Sequence, residues 1–272
     1  MNVAAWNVRG FNDPSKHREV TCFISSNNIS LLGILESRVR HPNLDQLLRS
    51  INNYLKCYSN HSVATLRRIL VIWDPSLINF IPIFVNDQAI HGKVLLSNNF
   101  YVFVSFVYGV CDSNTRRSLW VDLIHCAAEF KDQPWVILGD FNVSRFGKEH
   151  NSSNRVTKAM TEFNNTMRTV ELDDLKGTGF KFTWSNMRRG SEAIMKKLDR
   201  TLGNWQWFNL LGDTYARSML RGSRIIPQSL YSLCRGSFAA ANLLNFLILG
   251  PKMRIFFKLS NRSGIRCTLA PL

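Results

Sequence analysis

Trp135-Val136-Ile137-Leu138-Gly139-Asp140-Phe141-Asn142 opens with four apolar residues and closes on two polar side chains two positions apart. An apolar run containing Val and Ile and bounded by Gly and Asp predicts a buried strand that stops at the rim of a sheet. In extended backbone, side chains two residues apart share a face, so Asp140 and Asn142 would point the same way. The same design recurs along the chain. Val3–Trp6 runs into Asn7, Leu31–Leu35 into Glu36, and Tyr101–Val107 into Tyr108.

Further strands are predicted at Ile69–Trp73, Asn79–Val85, Lys93–Ser97 and Lys181–Ser185, with helices at Lys16–Asn27, Asn43–Tyr54, Thr115–Phe130 and Asn154–Val170. Ser113 or Asn114 is the expected cap of the third helix, and Leu119, Leu123 and Ala127 keep its apolar face. Strands punctuated by helices predict an α/β sandwich with helices outside, one domain over residues 1–213. Taken singly, the polar residues have ordinary readings. A Glu after a strand is commonly solvated or capping, an Asp-x-Asn is commonly a turn, and a Tyr is commonly core. Together, an Asp/Asn pair and a distant Glu offer the hard oxygen donors that Mg²⁺ prefers.

The 272 residues carry a formal charge of +15, unevenly spread. Residues 1–213 hold 25 bases and all 19 acids, whereas residues 214–272 hold nine bases and no acid. The apolar fraction of 45% belongs to a chain that buries a core, not to a disordered one. No apolar run reaches the roughly 20 residues of a membrane span, and the start lacks the apolar core of a secretory signal. The six cysteines have neither CxxC nor zinc-type spacing, so reduced thiols and an intracellular setting are expected.

In their order, several motifs resemble the endonuclease/exonuclease/phosphatase superfamily, and more closely the apurinic-type endonuclease domain of plant LINE retrotransposon polyproteins. They are Trp6-Asn7-Val8-Arg9-Gly10, Leu35-Glu36-Ser37-Arg38, Val107-Tyr108-Gly109, Arg116-Arg117-Ser118-Leu119-Trp120, the Trp135–Asn142 run, Phe182-Thr183-Trp184-Ser185-Asn186 and Lys197-Leu198-Asp199-Arg200. The likeness spans about residues 1–215. It implies a DNase I-like four-layer sandwich that hydrolyses phosphodiesters with Mg²⁺ (or Mn²⁺), DNA as substrate, a nuclear location, and neither a membrane nor an obligate protein partner.

By the same resemblance Glu36 binds the metal with Asn7 and Asp140 beside it. Asp140 orients or deprotonates the attacking water, Asn142 bonds the phosphate or nucleophile, and Tyr108 donates to a phosphate oxygen. Thr183 lines the site, and Asp199 orients a histidine. Arg9, Arg38, Arg116, Arg117, Arg188 and Arg189 are candidate contacts to a DNA backbone. Two alternatives stand beside this reading: a phosphatase or phosphodiesterase of the same superfamily, and a non-catalytic remnant that binds nucleic acid or nothing.

The sequence departs from the family at its end. The histidine comes from a Ser-Asp-His motif some 20–30 residues beyond the position of Asp199, and here no histidine follows His150. The acid-free residues 216–272 are expected to be a poorly ordered tail that leaves the closing strand positions incomplete and a sheet edge open. The order Ser223-Arg224-Ile225-Ile226-Pro227-Gln228-Ser229-Leu230-Tyr231 can be encoded by codons that, read two nucleotides later, give Ser-Asp-His-Ser-Pro-Ile-Val-Ile. A frameshift near Tyr215–Ser223 is therefore expected.

Overall fold

The computed structural model describes residues 1–8, 10–64, 69–96 and 100–219, and the backbone of residues 245–249. The first half of the chain builds β1 (Asn2–Asn7), α1 (Pro14–Asn27), β2 (Ile29–Leu35), α2 (Leu44–Ile51), β3 (Lys56–Ser59), β4 (Leu70–Trp73), β5 (Asn79–Val85), β6 (Ala89–Leu95) and β7 (Tyr101–Tyr108). The second half adds α3 (Ser113–Glu129), β8 (Trp135–Asp140), α4 (Lys158–Thr169), β9 (Asp173–Asp174), β10 (Lys176–Gly179), β11 (Trp184–Ser185), β12 (Met195–Lys196), β13 (Asp199–Gly203), α5 (Trp205–Leu211), β14 (Tyr215–Met219) and β15 (Asn245–Leu249).

The strands form two large sheets. One has the order β10-β14-β15-β1-β2-β4-β3, the other β5-β6-β7-β8-β13-β9. Alternation along the strands sorts side chains to the two faces of each sheet. Val3, Ala5, Leu31 and Val71 of the first sheet pack against Val104, Phe106, Val136 and Leu138 of the second, forming the central core. Ala4, Trp6, Leu32 and Ile34 face outward and meet Val20 of α1 and Leu47 and Ile51 of α2. Phe103, Val107, Trp135 and Ile137 meet Leu119, Leu123 and Cys126 of α3 and Phe163 and Met167 of α4. The result is the four-layer α/β sandwich expected from the strand pattern.

Local chemistry sets the element ends. Asp13 caps α1 by accepting from the Ser15 N–H, Pro14 supplies a preset φ at the first turn, and Asn28 in the left-handed region (φ 48°) stops it. The cap of α3 is Asp112, which accepts from the Thr115 N–H, and not Ser113 or Asn114, which lie inside the helix. Strand β6 begins at Ala89, four residues before the predicted start. Only Trp184–Ser185 of the predicted Lys181–Ser185 strand is paired.

The closing strand position is filled. Asn245–Leu249 runs parallel to both β1 and β14 and joins them. The open edge expected there is thus corrected, because a short extended segment pairs through its main chain whatever its origin. Tyr215–Met219 crosses the proposed 215/216 boundary and pairs with β10 as well. Ser223–Tyr231, Cys234 and Cys267 lie outside the described residues.

Candidate active site

The polar strand ends meet at one rim. Asn7 ends β1, and its Nδ2 donates to Asp140 Oδ2 at 3.2 Å across the two sheets. Asp140 Oδ1 accepts from the Asn142 N–H at 2.8 Å. Asn142 adopts φ 50°, and its Nδ2 donates to the Gly109 carbonyl at 2.6 Å. Asp140 and Asn142 are therefore not equivalent donors into one space. The left-handed turn at Asn142 bends the chain, and its amide ties that turn to the end of β7.

Gly139 lies directly before Asp140 with φ 150°, and a Cβ there would sit 1.9 Å from the Val107 carbonyl oxygen. Only glycine lets β8 approach β7 closely enough to bring Asp140 beside Tyr108, its register partner. Glu36 follows β2 with φ 53°. Its Oε1 accepts from Arg38 at 2.9 Å, and its carboxylate also hydrogen-bonds Tyr108. Burial pushes the Tyr108 phenol well up, and the nearby Glu36 and Asp140 charges push it further, so it stays a protonated donor. Burial also raises Asp140, to about 6, and Glu36 adds to the rise, while the bonds from Asn142 and Asn7 oppose it.

The other two expected site residues stand behind Asp140. Asp199 opens β13 and is the antiparallel partner of Asp140. It is only 2% exposed. The Thr183 hydroxyl accepts from the N–H groups of Leu198 and Asp199, both at 3.0 Å. Thr183 thus holds the entry to β13. Burial and the Asp140 charge raise Asp199 well above the usual carboxylate range. Its Oδ2 is buried without a hydrogen-bond partner among the described residues.

The donor set at the rim suits a hard divalent cation. Asn7 Oδ1 is buried and has no hydrogen-bond partner among the described residues, in the residue whose amide nitrogen bonds Asp140. An orphaned amide oxygen among carboxylates suits a hard cation and would otherwise carry a desolvation cost. Glu36 and Asn7 fit as ligands. Asp140 has both oxygens engaged, which suits orientation of a nucleophile better than direct ligation.

The candidate DNA-contacting arginines divide. Arg116 is buried, and its guanidinium bonds the carbonyls of Val110, Cys111 and Asn142, so it braces the rim from within. Arg117 pairs with Glu162, Arg38 with Glu36 and Arg188 with Glu192. Arg189 is exposed, and Arg9 lies outside the described residues. The bracing role of Arg116 was hidden in the sequence because its carbonyl partners come from separate loops.

A cavity of about 260 Å³ opens beside Asn142, with Ser144, His150, Arg155 and Lys196 among its walls. Among the described residues, His150 is not hydrogen-bonded to Asp199. Its Nδ1 is engaged by Ser152 in its own turn, at 3.0 Å to the hydroxyl.

The two packed sheets and outer helices form a fold shared with endonuclease/exonuclease/phosphatase proteins, as the resemblance in sequence implied. The chain is similar in structure to the endonuclease domain of TRAS1, a telomere-specific non-LTR retrotransposon, with 11% identity over 71% of this chain and 81% of that one and a TM-score of 0.55. An endonuclease/exonuclease/phosphatase family protein from Bacteroides thetaiotaomicron aligns with 12% identity over 75% of this chain and 82% of its own, with a TM-score of 0.51. At these identities the likeness is one of fold. No family model and no curated protein matches the chain. No described helix is long and apolar enough to cross a membrane.

Proposed function

We propose that this chain carries a LINE-type, Mg²⁺-dependent DNA endonuclease site that lacks one working part. The convergence of Asn7, Glu36, Tyr108, Asp140 and Asn142 on one rim carries the reading. A bound Mg²⁺ (or Mn²⁺) would polarise the phosphate and offset its developing charge. Glu36 and Asn7 Oδ1 would hold it.

The chain's own residues would do the rest. Asp140, fixed by Asn7 and by the Asn142 N–H, is placed to align a water and take its proton. Tyr108 keeps its proton and can donate to a phosphate oxygen as charge builds. Asn142 holds the turn that presents Asp140. The cavity wall, with the cations Arg155 and Lys196 beside the His150 ring, would accept a neighbouring phosphate of the strand.

The missing part is the histidine. Asp199 would orient it, and Asp199 Oδ2 is buried without a hydrogen-bond partner among the described residues. A frameshift that removed Ser-Asp-His accounts for both the acid-free residues 214–272 and the absent histidine. Sequencing the locus checks this part: a displaced frame downstream of codon 215 must encode Ser-Asp-His. Plasmid nicking with Mg²⁺ checks the chemistry, comparing the chain with Asp140→Ala. Little nicking by either is expected. Robust nicking abolished by Asp140→Ala would keep the endonuclease and discard the impairment.

A further inference from the structure

A second polar cluster lies away from the rim, between β6 and α3. His91 is wholly buried on the outer face of its sheet. Its Nε2 is 2.7 Å from Asp122 Oδ2, and its Nδ1 is 2.7 Å from Ser105 Oγ. Ser105 in turn accepts from Trp135 Nε1 at 2.8 Å. Cys126 lies one helical turn beyond Asp122, fully buried, and the ligand atoms of His91, Asp122 and Cys126 lie within 4.8 Å of one another. Nothing in the proposed hydrolysis uses these groups.

We propose that His91 Nε2, Asp122 Oδ2 and Cys126 Sγ form a binding site for a borderline-soft divalent ion of the zinc class. Three arguments carry it. The first is charge. A divalent ion, one thiolate and one carboxylate sum to zero, so the occupied site can be buried without a net charge. The second is donor type. Imidazole and thiolate suit Zn²⁺ or Co²⁺ and are poor ligands for Mg²⁺, which separates this site from the oxygen donors of the rim. The third is the surrounding shell. Metal-binding histidines donate their other ring N–H to an oxygen, and Ser105 Oγ stands at that position, itself held by Trp135.

The proton balance is simple. On binding, His91 carries its ring proton on Nδ1, toward Ser105, and frees Nε2. Cys126 loses its thiol proton to solvent. Asp122 binds as its carboxylate through Oδ2, the atom that faces His91 Nε2. A tetrahedral site needs donors roughly 3.5 Å apart, from metal bonds of about 2.0–2.3 Å. The His91–Asp122 contact must therefore open by somewhat under 1 Å, within reach of side-chain rotation. Asp122 is 19% exposed, which gives the ion a path and leaves the fourth position to water. The ion would tie α3 to β6.

Co²⁺ titration of the full, metal-stripped chain tests the site. Wild type should develop a thiolate-to-cobalt charge-transfer band that Zn²⁺ displaces and excess Mg²⁺ does not. Cys126→Ser, checked by circular dichroism to be folded, should lose the band, and Asp122→Asn should weaken binding. Zn²⁺ should raise the Tm of wild type and leave that of Cys126→Ser unchanged. A folded wild type with no band, or a band that survives Cys126→Ser, overturns the proposal. If Cys126→Ser does not fold, the wild-type band and its displacement by Zn²⁺ decide, together with Asp122→Asn. The outcome is independent of whether the rim hydrolyses DNA.

Discussion

Asp140 and Asp199 are register partners across the antiparallel β8–β13 ladder, both almost wholly buried. Burial raises the proton affinity of both; the Asp140 charge raises that of Asp199 further, and the Glu36 charge adds to the rise of Asp140. Asp140 has partners on both oxygens, whereas Asp199 Oδ2 has none among the described residues.

Stability should therefore fall as pH rises. Both carboxylates are raised on folding, so their contribution is complete below the unfolded value near 3.8 and is lost as pH rises through the folded values, about 6 for Asp140. Each unit by which folding raises Asp199 costs about 1.4 kcal/mol at high pH. Asp199→Asn should consequently be more stable than wild type at pH 8 in EDTA, with the gain vanishing near pH 3–4. Urea denaturation at both pH values measures this. A destabilised variant at pH 8 would mean that the Asp199 carboxylate has a partner worth more than its burial costs.

Gly139→Ala should cost more than about 1 kcal/mol, since the added Cβ meets the Val107 carbonyl and φ lies in the glycine region. The same change should move Asp140 away from Tyr108. A shift in urea midpoint without a change of slope is the expected reading.

Arg200 is wholly buried, bonding both oxygens of Asp174 and reaching Glu149. Arg200→Met would leave two carboxylates without that cation and should destabilise the fold by about 3–5 kcal/mol. The double change Arg200→Met with Glu149→Gln should recover part of the loss. Equal loss in single and double variants would show that Asp174 alone dominates.

Imidazole should partly rescue plasmid nicking in Mg²⁺ if a histidine is the one missing part. The rescue is expected in wild type, weaker below about pH 6 where Asp140 holds its proton, and absent in Asp140→Ala. Rescue of Asp140→Ala to the same extent would trace the activity to solution chemistry or a contaminant.

The rim was legible because apolar strands must end where water begins, so a polar residue directly after such a run marks an edge position. Asn7, Glu36, Tyr108 and Asp140 all follow that rule. Strand β13 escaped notice, since Asp-Arg-Thr-Leu-Gly lacks an apolar pattern. Its burial rests on ion pairs and hydrogen bonds from Asp174, Glu149 and Thr183, none of them near in sequence. The bracing role of Arg116 is illegible for the same reason, since a basic side chain says nothing of the carbonyls that will surround it.

Sequence alone determined the alternation of buried strands and outer helices, the polar strand ends, and the absence of any histidine after residue 150. These depend on local pattern and composition. Only the tertiary structure decided that Asn7 would clamp Asp140 across two sheets, that Asp199 would face it from a neighbouring strand, that Asn245–Leu249 would complete the first sheet, and that His91, Asp122 and Cys126 would meet. Those contacts join residues far apart in sequence, 133 positions for Asn7 and Asp140. Their energies arise from register, burial and charge that exist only once the chain has closed on itself.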